Sequence, residues 1–326
     1  MSFDLTIKMY FTLFLMFAIG FGIIYFILLF FGVSFSYILV FAVLFFILQW
    51  AISPQIIKFS SHLEYIKDTE YPELHEIVQN LAKEANVIVP KIAISPSQEP
   101  NAFVFGRTRK SATLVVHKGL LSILDRNELS GVIAHELGHL KHNDMMVVTF
   151  ISFIPMLAYL IAQNLFFSSL FGGGNNRNNN VDYLIIFGII AFLVYLIAQL
   201  LMLSLSRSRE SYADEFSAKT TKKPANLASA LFKISYHNIN NVNKQSTSLQ
   251  SFYIIDFFNV QRDMKEIKEH YKEIKSMIPE ADFSMIFSEI SKQKHSFWGV
   301  LNSLYSTHPP TYRRILDMAK IKQQLH

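Results

Sequence analysis

The chain of 326 residues contains no cysteine and few charged residues. Without cysteine it can form neither disulfides nor thiolate metal ligands, and it has no thiol nucleophile. Asp, Glu, Lys and Arg make up 17% of the sequence, whereas soluble domains usually carry about 25%. Hydrophobic residues reach 51%. This composition is typical of a membrane protein.

Charge is absent altogether from the long run of residues 9–57. As a single helix the run would be ~73 Å long, more than twice the ~30 Å hydrocarbon core of a bilayer. It therefore predicts two transmembrane helices, at about 10–31 and 35–53, with a break at Gly32-Val33-Ser34. The first exceeds the apolar region of a secretory signal, and no small-x-small cleavage site follows, which favours a retained hairpin.

Two further uncharged runs predict a second transmembrane pair, at about 145–171 and 183–206. The loop between them, 172–182, is rich in Gly and Asn and holds only Arg177 as a positive charge. The other flanking Lys and Arg residues fall on the opposite side: Lys8, Lys58, Lys67, Lys141, Arg207 and Arg209. Positive charge marks the cytoplasmic side, so both termini and both soluble parts are expected in the cytoplasm.

The sequence thus predicts a mainly α membrane protein with four transmembrane helices and a cytosolic α+β domain with a small sheet. The domain is expected in two parts, 58–144 and 207–326, which alternate with the transmembrane hairpin in 1–57 and the transmembrane pair in 145–206. The formal net charge of +5 is spread over many segments. It therefore fits an anionic membrane surface and not a nucleic acid.

Local patterns predict the elements of these soluble parts. Pro72 begins a helix whose apolar residues recur at helical spacing. Asp125 and Glu128 form a capping box for the next helix. Short apolar runs predict three strands, and the second soluble part reads as mostly helical, with helices at 263–277 and 312–324. The predicted strands are 91–95, 102–105 and 112–117.

The capped helix carries His135-Glu136-Leu137-Gly138-His139. At this spacing two imidazoles lie on one helix face and can share a tetrahedral zinc ion, while Glu136 can act as general base toward water. The metzincin extension would need Gly and His at positions held by His142 and Met145. His142 lies ~10 Å along the axis from His135, which favours a role other than ligation.

A third protein ligand is expected at Glu210, one turn from Asp214 on a predicted helix. Glu210 would bind the metal, and Asp214 would accept the outer N–H of a ligand histidine. The alternative is a solvated face on which both carboxylates pair with Arg207 and Arg209. If Glu210 shares an ion with His135, the chain between them crosses the membrane an even number of times, which agrees with the predicted pair.

Four motifs together resemble the HtpX-type membrane zinc metalloproteases, gluzincins related to the CAAX prenyl proteases. The resemblance covers most of the chain and is weakest at about 236–300 and at 172–182. The motifs are Pro100-Asn101-Ala102-Phe103, His135-Glu136-Leu137-Gly138-His139, Arg207-Ser208-Arg209-Glu210 with Asp214, and Thr307-His308-Pro309-Pro310.

The resemblance implies a zincin-like catalytic domain with one zinc ion per chain. His135, His139 and Glu210 would be its ligands, and Glu136 the general base and proton shuttle. Arg207 or Arg209 would orient Asp214 or the substrate.

It also implies roles for two other motifs. His308 would lie near the site and donate to the oxyanion; the alternative is a turn that precedes the next helix. Asn101, Ala102 and Phe103 would begin an edge strand along which an extended substrate pairs. Phe103 can equally be a core position of that strand.

The function implied is a zinc metalloendopeptidase of the cell membrane. Its substrates would be extended segments of misfolded or excess membrane proteins, cleaved at the cytoplasmic face as quality control. A CAAX prenyl protease is the nearest alternative, but it uses more spans. An intramembrane site-2-type protease would place the motif inside an apolar span, and a zinc-stabilised scaffold would need four protein ligands. The sequence gives neither the oligomeric state nor the cleavage specificity.

Overall fold

The computed structural model describes residues 61–171, 180–239, 260–287 and 308–325, and parts of 44–59. Two compact units are present: one includes 146–205, and the other includes 54–145 and the described residues from 206 onwards. The predicted segment at 10–31, most of the segment at 35–53 and most of the loop at 172–182 lie outside the described residues.

A small mixed sheet forms part of the second unit. Its strands run in the order β1-β2-β4-β3, with β2 and β4 parallel and the two outer strands antiparallel to their neighbours. The three predicted strands are confirmed to within one residue. The fourth, β1, is too short to show a period of two in the sequence. The strands are β1 (Glu64–Tyr65), β2 (Lys91–Ser95), β3 (Ala102–Phe105) and β4 (Thr113–His117).

The sheet buries both faces. On one face Ala102, Val104 and Leu114 join the main core with the helices. On the other face Phe103, Phe105 and Val115 form a smaller cluster, which Ile57 and Leu63 cover. Alternation along β3 sends neighbouring side chains to opposite faces, and both faces are apolar because both are covered.

Two of the next three helices of this unit begin as the local sequence predicts. Helix α1 (Pro72–Glu84) has Pro at its start and buries Leu74, Ile77, Val78, Leu81 and Ala82, the predicted apolar stripe. Helix α2 (Lys118–Ile123) follows β4 directly. Helix α3 (Arg126–Lys141) begins with the predicted capping box: Asp125 accepts from the backbone N–H groups of Asn127 and Glu128, and the Glu128 carboxylate accepts from the Asp125 N–H.

Helices α4 (Asp144–Phe171) and α5 (Asn180–Thr221) contain the second apolar pair. In the first unit they pack through small clusters, one of which is Ala162, Phe187 and Ala191. Among the described residues one helix, Tyr183–Thr221, is long and apolar enough to cross a membrane. The expected boundary at 206 is not a helix end. The chain has neither Gly nor Pro from 189 to 223, and α5 continues to Thr221, shortly before Pro224 begins the next helix.

The remaining helices are α6 (Pro224–Ile239), α7 (Val260–Glu269), α8 (Tyr271–Met277) and α9 (Thr311–Leu325). The expectation of one helix over 263–277 is wrong, because His270 leaves helical geometry (φ −101°, ψ 14°) and separates α7 from α8. The expectation at 312–324 is confirmed to within one residue. Helix α6 packs against both α3 and α9, so the second soluble part completes the core begun by the first.

A buried carboxylate holds the start of α9. Asp263, on α7 and 1% exposed, accepts a hydrogen bond from the backbone N–H of Thr311 (2.7 Å). Burial raises the pKa of Asp263 to about 7, although the Thr311 N–H and Arg262 oppose this shift and Glu266 adds to it. The protonated form is therefore favoured in the folded state up to that pH.

The substitution Asp263→Asn should change how stability depends on pH. In the parent, the folded pKa of about 7 lies above the unfolded value of about 3.9, so stability falls as pH rises between them, by about 1.4 kcal/mol per unit. Asn keeps the acceptor oxygen and cannot ionise. Melting temperatures at pH 5 and pH 8 should therefore converge in the variant, and an equal pH dependence in both proteins would contradict this.

Candidate active site

The two histidines of the motif lie one turn apart on α3. The Nε2 atoms of His135 and His139 are 3.2 Å apart, and the rings meet edge to face with centroids 4.8 Å apart. The His135 side chain is 1% exposed and that of His139 is 15% exposed. The helix therefore directs the Nε2 atoms of both imidazoles toward the same place, and both side chains are largely shielded from water.

A carboxylate fixes each imidazole from its outer side. Nδ1 of His135 lies 2.9 Å from Oδ1 of Asp214, and Nδ1 of His139 donates to Oδ2 of Asp144 at 2.6 Å. An ionised carboxylate can only accept, so each Nδ1 carries a proton, and each Nε2 is the nitrogen left to bind a metal. The two Nε2 atoms face each other, an arrangement that a metal cation between them would stabilise.

Glu210, on α5, completes a triangle with the two Nε2 atoms. Its Oε2 lies 3.5 Å from Nε2 of His135, and its Oε1 lies 3.4 Å from Nε2 of His139. Ligands at Zn–N and Zn–O distances of ~2.0–2.1 Å in a tetrahedron are ~3.3 Å apart. In the described part of the chain, the buried Oε2 of Glu210 also has no hydrogen-bond partner. The donor set thus fits a zinc ion, with its fourth position left for water or substrate.

Glu136 projects from the same helix turn and is 4% exposed. One ligand atom from each of His135, Glu136 and His139 lies within 4.8 Å of the others. Burial raises the pKa of Glu136, while the neighbouring imidazoles oppose the shift. A carboxylate whose pKa is raised toward neutrality is suited to taking a proton from water.

Arg314, on α9, was missed by the sequence reasoning. Its Nε and Nη2 donate to the two oxygens of Asp214 at 2.8 and 2.7 Å, the bidentate geometry of a strong charged pair. Its Nη1 lies 3.6 Å from Oε2 of Glu210, and the residue is 2% exposed. Burial alone would lower the pKa of Arg314, but the adjacent carboxylates of Asp214 and Glu210 outweigh it and raise this pKa.

Arg209 has the matching position on the other histidine. Its Nε lies 3.0 Å from Oδ1 of Asp144, the carboxylate that holds His139. Asp214 is contacted by Arg314, whereas the sequence had suggested Arg207 or Arg209 for this role. Arg207 is half-buried on α5. Each of the two histidines thus contacts an aspartate, and each aspartate contacts an arginine.

His308 lies beside the third member of the triangle. Its Nε2 is 3.6 Å from Oε1 of Glu210, and the residue is 6% exposed. It also immediately precedes Pro309-Pro310 and the start of α9. His308 therefore lies both beside Glu210 and in the turn before α9, and its role toward an oxyanion stays a prediction.

His142 belongs to a different environment. Its ring lies against that of Tyr212 at a tilt of 39°, with centroids 5.4 Å apart, and meets Phe216 edge to face at 6.1 Å. Burial lowers its pKa. These contacts are those of a packing residue between α3 and α5.

The motif at 101–103 begins the edge strand β3. Asn101 and Ala102 are each 1% exposed and Phe103 is 5% exposed. The strand pairs with β4 on one side and packs against α3, the helix that carries the histidines. The Phe103 side chain lies in the cluster on the outer face of the sheet, 6.0 Å from the His117 ring. The side chain is thus a core residue, while the backbone of β3 forms the border of the sheet.

Two glycines let other helices approach α3 closely. A Cβ at Gly138 would lie 3.1 Å from Cα of Ala213, and one at Gly131 would lie 2.8 Å from the backbone N of Leu227. Ser217 Oγ donates to the Gly131 carbonyl at 2.7 Å, which joins α5 to the same place. Close backbone contact at Gly138 is what brings Glu210 within reach of the histidines.

The missed residues left different signals in the sequence. Arg314 falls on the buried stripe of α9 with Thr311, Ile315 and Met318, at helical spacing. A buried arginine requires an acidic partner, so its position on that stripe could have indicated a carboxylate site. Asp144 precedes an uncharged run and looks like a membrane flank, and no sequence pattern links it to His139.

Comparisons with known proteins show the family to which the chain belongs. The model of Peptidase family M48 matches residues 68–322. The chain is 38% identical over 236 residues to the "Protease HtpX homolog" of Methanothermobacter thermautotrophicus, covering 70% of this chain and 86% of that protein. It is 35% identical over 272 residues to the "Protease HtpX homolog" of Moorella thermoacetica, covering 82% and 90%.

Among solved structures, S. mikatae Ste24p is similar in fold, with a TM-score of 0.52 and 22% identity. The match covers 96% of this chain and 65% of Ste24p, so the chain spans just under two thirds of that protein. The resemblance to HtpX-type proteases in the sequence is confirmed. The chain belongs to peptidase family M48 and is a membrane metalloprotease.

Proposed function

We propose that this metalloprotease is a zinc-dependent endopeptidase whose metal ligands are His135, His139 and Glu210. The observation that carries the proposal is the triangle of two Nε2 atoms and one carboxylate, with sides of 3.2 to 3.5 Å. Glu136 lies beside it on the same helix and is not needed to complete the triangle. Three protein ligands and a separate base are the arrangement of a catalytic zinc site, whereas structural sites use four protein ligands.

The residues of the chain divide the chemistry between them. When bound, zinc supplies Lewis acidity to a carbonyl oxygen and acidifies water. The Glu136 carboxylate takes a proton from the attacking water and passes it to the nitrogen of the leaving amine. His308 donates from Nε2 to the oxygen on which negative charge develops. Asp214 and Asp144 hold the Nδ1 protons of the two histidines throughout.

Arg314 acts as a positioning residue. Its two hydrogen bonds fix both oxygens of Asp214, which in turn fixes the ring of His135. It also lies near Glu210 and so reduces the repulsion between the two carboxylates. Arg209 has the same role toward Asp144 and His139.

The substrate is an extended protein segment. The border strand β3, beginning at Asn101, Ala102 and Phe103, offers backbone groups along its outer edge, and an extended chain can pair there beside α3. A folded segment cannot pair in this way. Misfolded or excess membrane proteins are the substrate class that best combines an extended chain with a site near the bilayer.

The membrane arrangement proposed has four spans, at about 10–31, 35–53, 145–171 and 183–206, with the catalytic domain facing the cytoplasm of the cell membrane. The catalytic domain comprises 58–144 and 207–326. The distribution of positive charge on the flanks supports this orientation. It also accounts for the return of Glu210 to the side of His135.

A CAAX prenyl endopeptidase is the second candidate, favoured by the likeness in fold to Ste24p. It would show as cleavage of a prenylated peptide in preference to an unfolded protein. A site-2-type protease is disfavoured because α3 packs against the sheet and α6 in the second unit, behind a polar cap at Asp125.

The substitution Glu136→Gln should abolish proteolysis and spare the metal site. Loss of a general base costs roughly 10²–10⁴ in rate, while the donor triangle is untouched. Cleavage of an unfolded reporter protein and zinc content by mass spectrometry check the two parts. Glu76→Gln, on the exposed face of α1, serves as control. Parent-like cleavage by the zinc-loaded Glu136→Gln protein would refute the mechanism.

The substitution Glu210→Ala should remove zinc. Two histidines alone leave an incomplete site, so zinc content should fall from about one per chain to a small fraction after dialysis. Glu215→Ala is the matched control, because Glu215 lies on the same helix and pairs with Lys219. Zinc retained in full by the Glu210→Ala protein would exclude this residue as a ligand.

Replacing Arg314 with Met should lower zinc affinity by roughly 10–100-fold, as loss of an outer support of a ligand does. It should also destabilise the fold by about 3–5 kcal/mol, since the buried carboxylate of Asp214 loses its guanidinium partner. The double variant with Asp214→Asn should recover part of that stability. Competition with a zinc chelator and thermal unfolding measure the two effects. The exposed neighbour Arg313 is the control, and equal effects of Arg313→Met would contradict the assignment.

A further inference from the structure

A pocket of about 360 Å³, separate from the candidate active site, lies at the end of the sheet where β2 and β4 begin and β3 ends. Lys91 and Thr113 are register partners at that end, and Phe105 is the partner of Thr113 on the other side. The volume is in the range of pockets that hold small molecules. None of the residues described as lining it belongs to the zinc triangle or its supports.

The lining is cationic. Lys58, Lys91 and Arg107 all contribute to it, and among the described lining residues there is no Asp or Glu. Arg107 is held in place by a hydrogen bond from Nη2 to Oε1 of Gln55 (3.2 Å), and Nζ of Lys58 lies 5.1 Å from the centroid of the Tyr65 ring. Three positively charged residues thus line one concave site, which favours an anionic ligand.

The position of the pocket in the chain indicates where that anion comes from. Gln55 and Lys58 immediately follow the apolar segment predicted to end at about 53. Phe59, next to Lys58, is 87% exposed. An exposed aromatic side chain beside a lysine at the end of an apolar segment is typical of the headgroup layer of a membrane. Juxtamembrane Lys and Arg there attract anionic lipids.

We propose that this pocket binds the phosphate of an anionic phospholipid headgroup, with Lys91 and Arg107 at the sheet end and Lys58 at the membrane end. Inorganic phosphate offers the same chemistry, so the test has to separate the two sources. The proposal does not depend on the proteolytic mechanism, because no ligand or base of the zinc site takes part.

The test is calorimetric titration of the full chain in a neutral detergent. The probes are short-chain phosphatidylglycerol, short-chain phosphatidylcholine and inorganic phosphate. Phosphatidylglycerol should bind saturably and more tightly than phosphatidylcholine, whose choline cancels the phosphate charge. Lys91→Gln and Arg107→Gln should each weaken binding roughly tenfold, the loss expected for one charged hydrogen bond. Lys110→Gln is the control, because it removes the same charge from an exposed site outside the pocket.

The variants should keep the zinc content and melting temperature of the parent. Lys91 is exposed, so its variant carries the test if Arg107→Gln fails to fold. Equal weakening by Lys110→Gln would show diffuse attraction and overturn the site. Tighter binding of inorganic phosphate, with displacement of the lipid, would overturn the lipid source. Displacement of the lipid by an acidic peptide would assign the pocket to the substrate instead.

Discussion

The second compact unit depends on one constraint, the burial of several charged side chains around His135 and His139. Four carboxylates and two guanidinium groups lie together with at most 7% exposure: Glu136, Asp144, Glu210, Asp214, Arg209 and Arg314. Each would cost several kcal/mol if buried without compensation. The arginines offset two of the four negative charges, and a divalent cation at the proposed zinc site would offset the other two. Metal binding and the stability of this unit would therefore be linked.

The supports of the site come from separate parts of the chain, so the fold has to bring several helices to one place. Asp214 and Arg209 lie on α5, Asp144 begins α4, and Arg314 lies on α9. The glycines of α3 make this convergence possible, since Gly138 lies against Ala213. A glycine inside a helix costs about 1 kcal/mol relative to alanine. That local cost is small beside the charge interactions that close approach allows.

Local sequence was sufficient for much of this structure and insufficient for its long-range pairs. Residues a few positions apart were enough to predict the cap at Asp125, the apolar stripe of α1 and the three main strands. The same is true of the spacing of His135 and His139 on one helix face. The helix break at His270 could not be predicted, because no Gly or Pro lies next to it in the sequence. Asp144 and Arg314 acquire their roles only from partners brought near by folding, so their local patterns could not reveal which carboxylate or histidine they support. Glu210 could be proposed as the third ligand because a catalytic zinc site needs three protein ligands.

The separation of Arg314 from the residues it supports has a consequence for biosynthesis. It lies 100 positions after Asp214 and 179 after His135. At the usual speed of translation, that distance corresponds to an interval on the order of ten seconds. During this interval the growing chain already carries its histidines and its base, while α9 has not yet been made. The support that Arg314 gives to Asp214 can therefore form only after α9 has been made, well after the residues it holds in place.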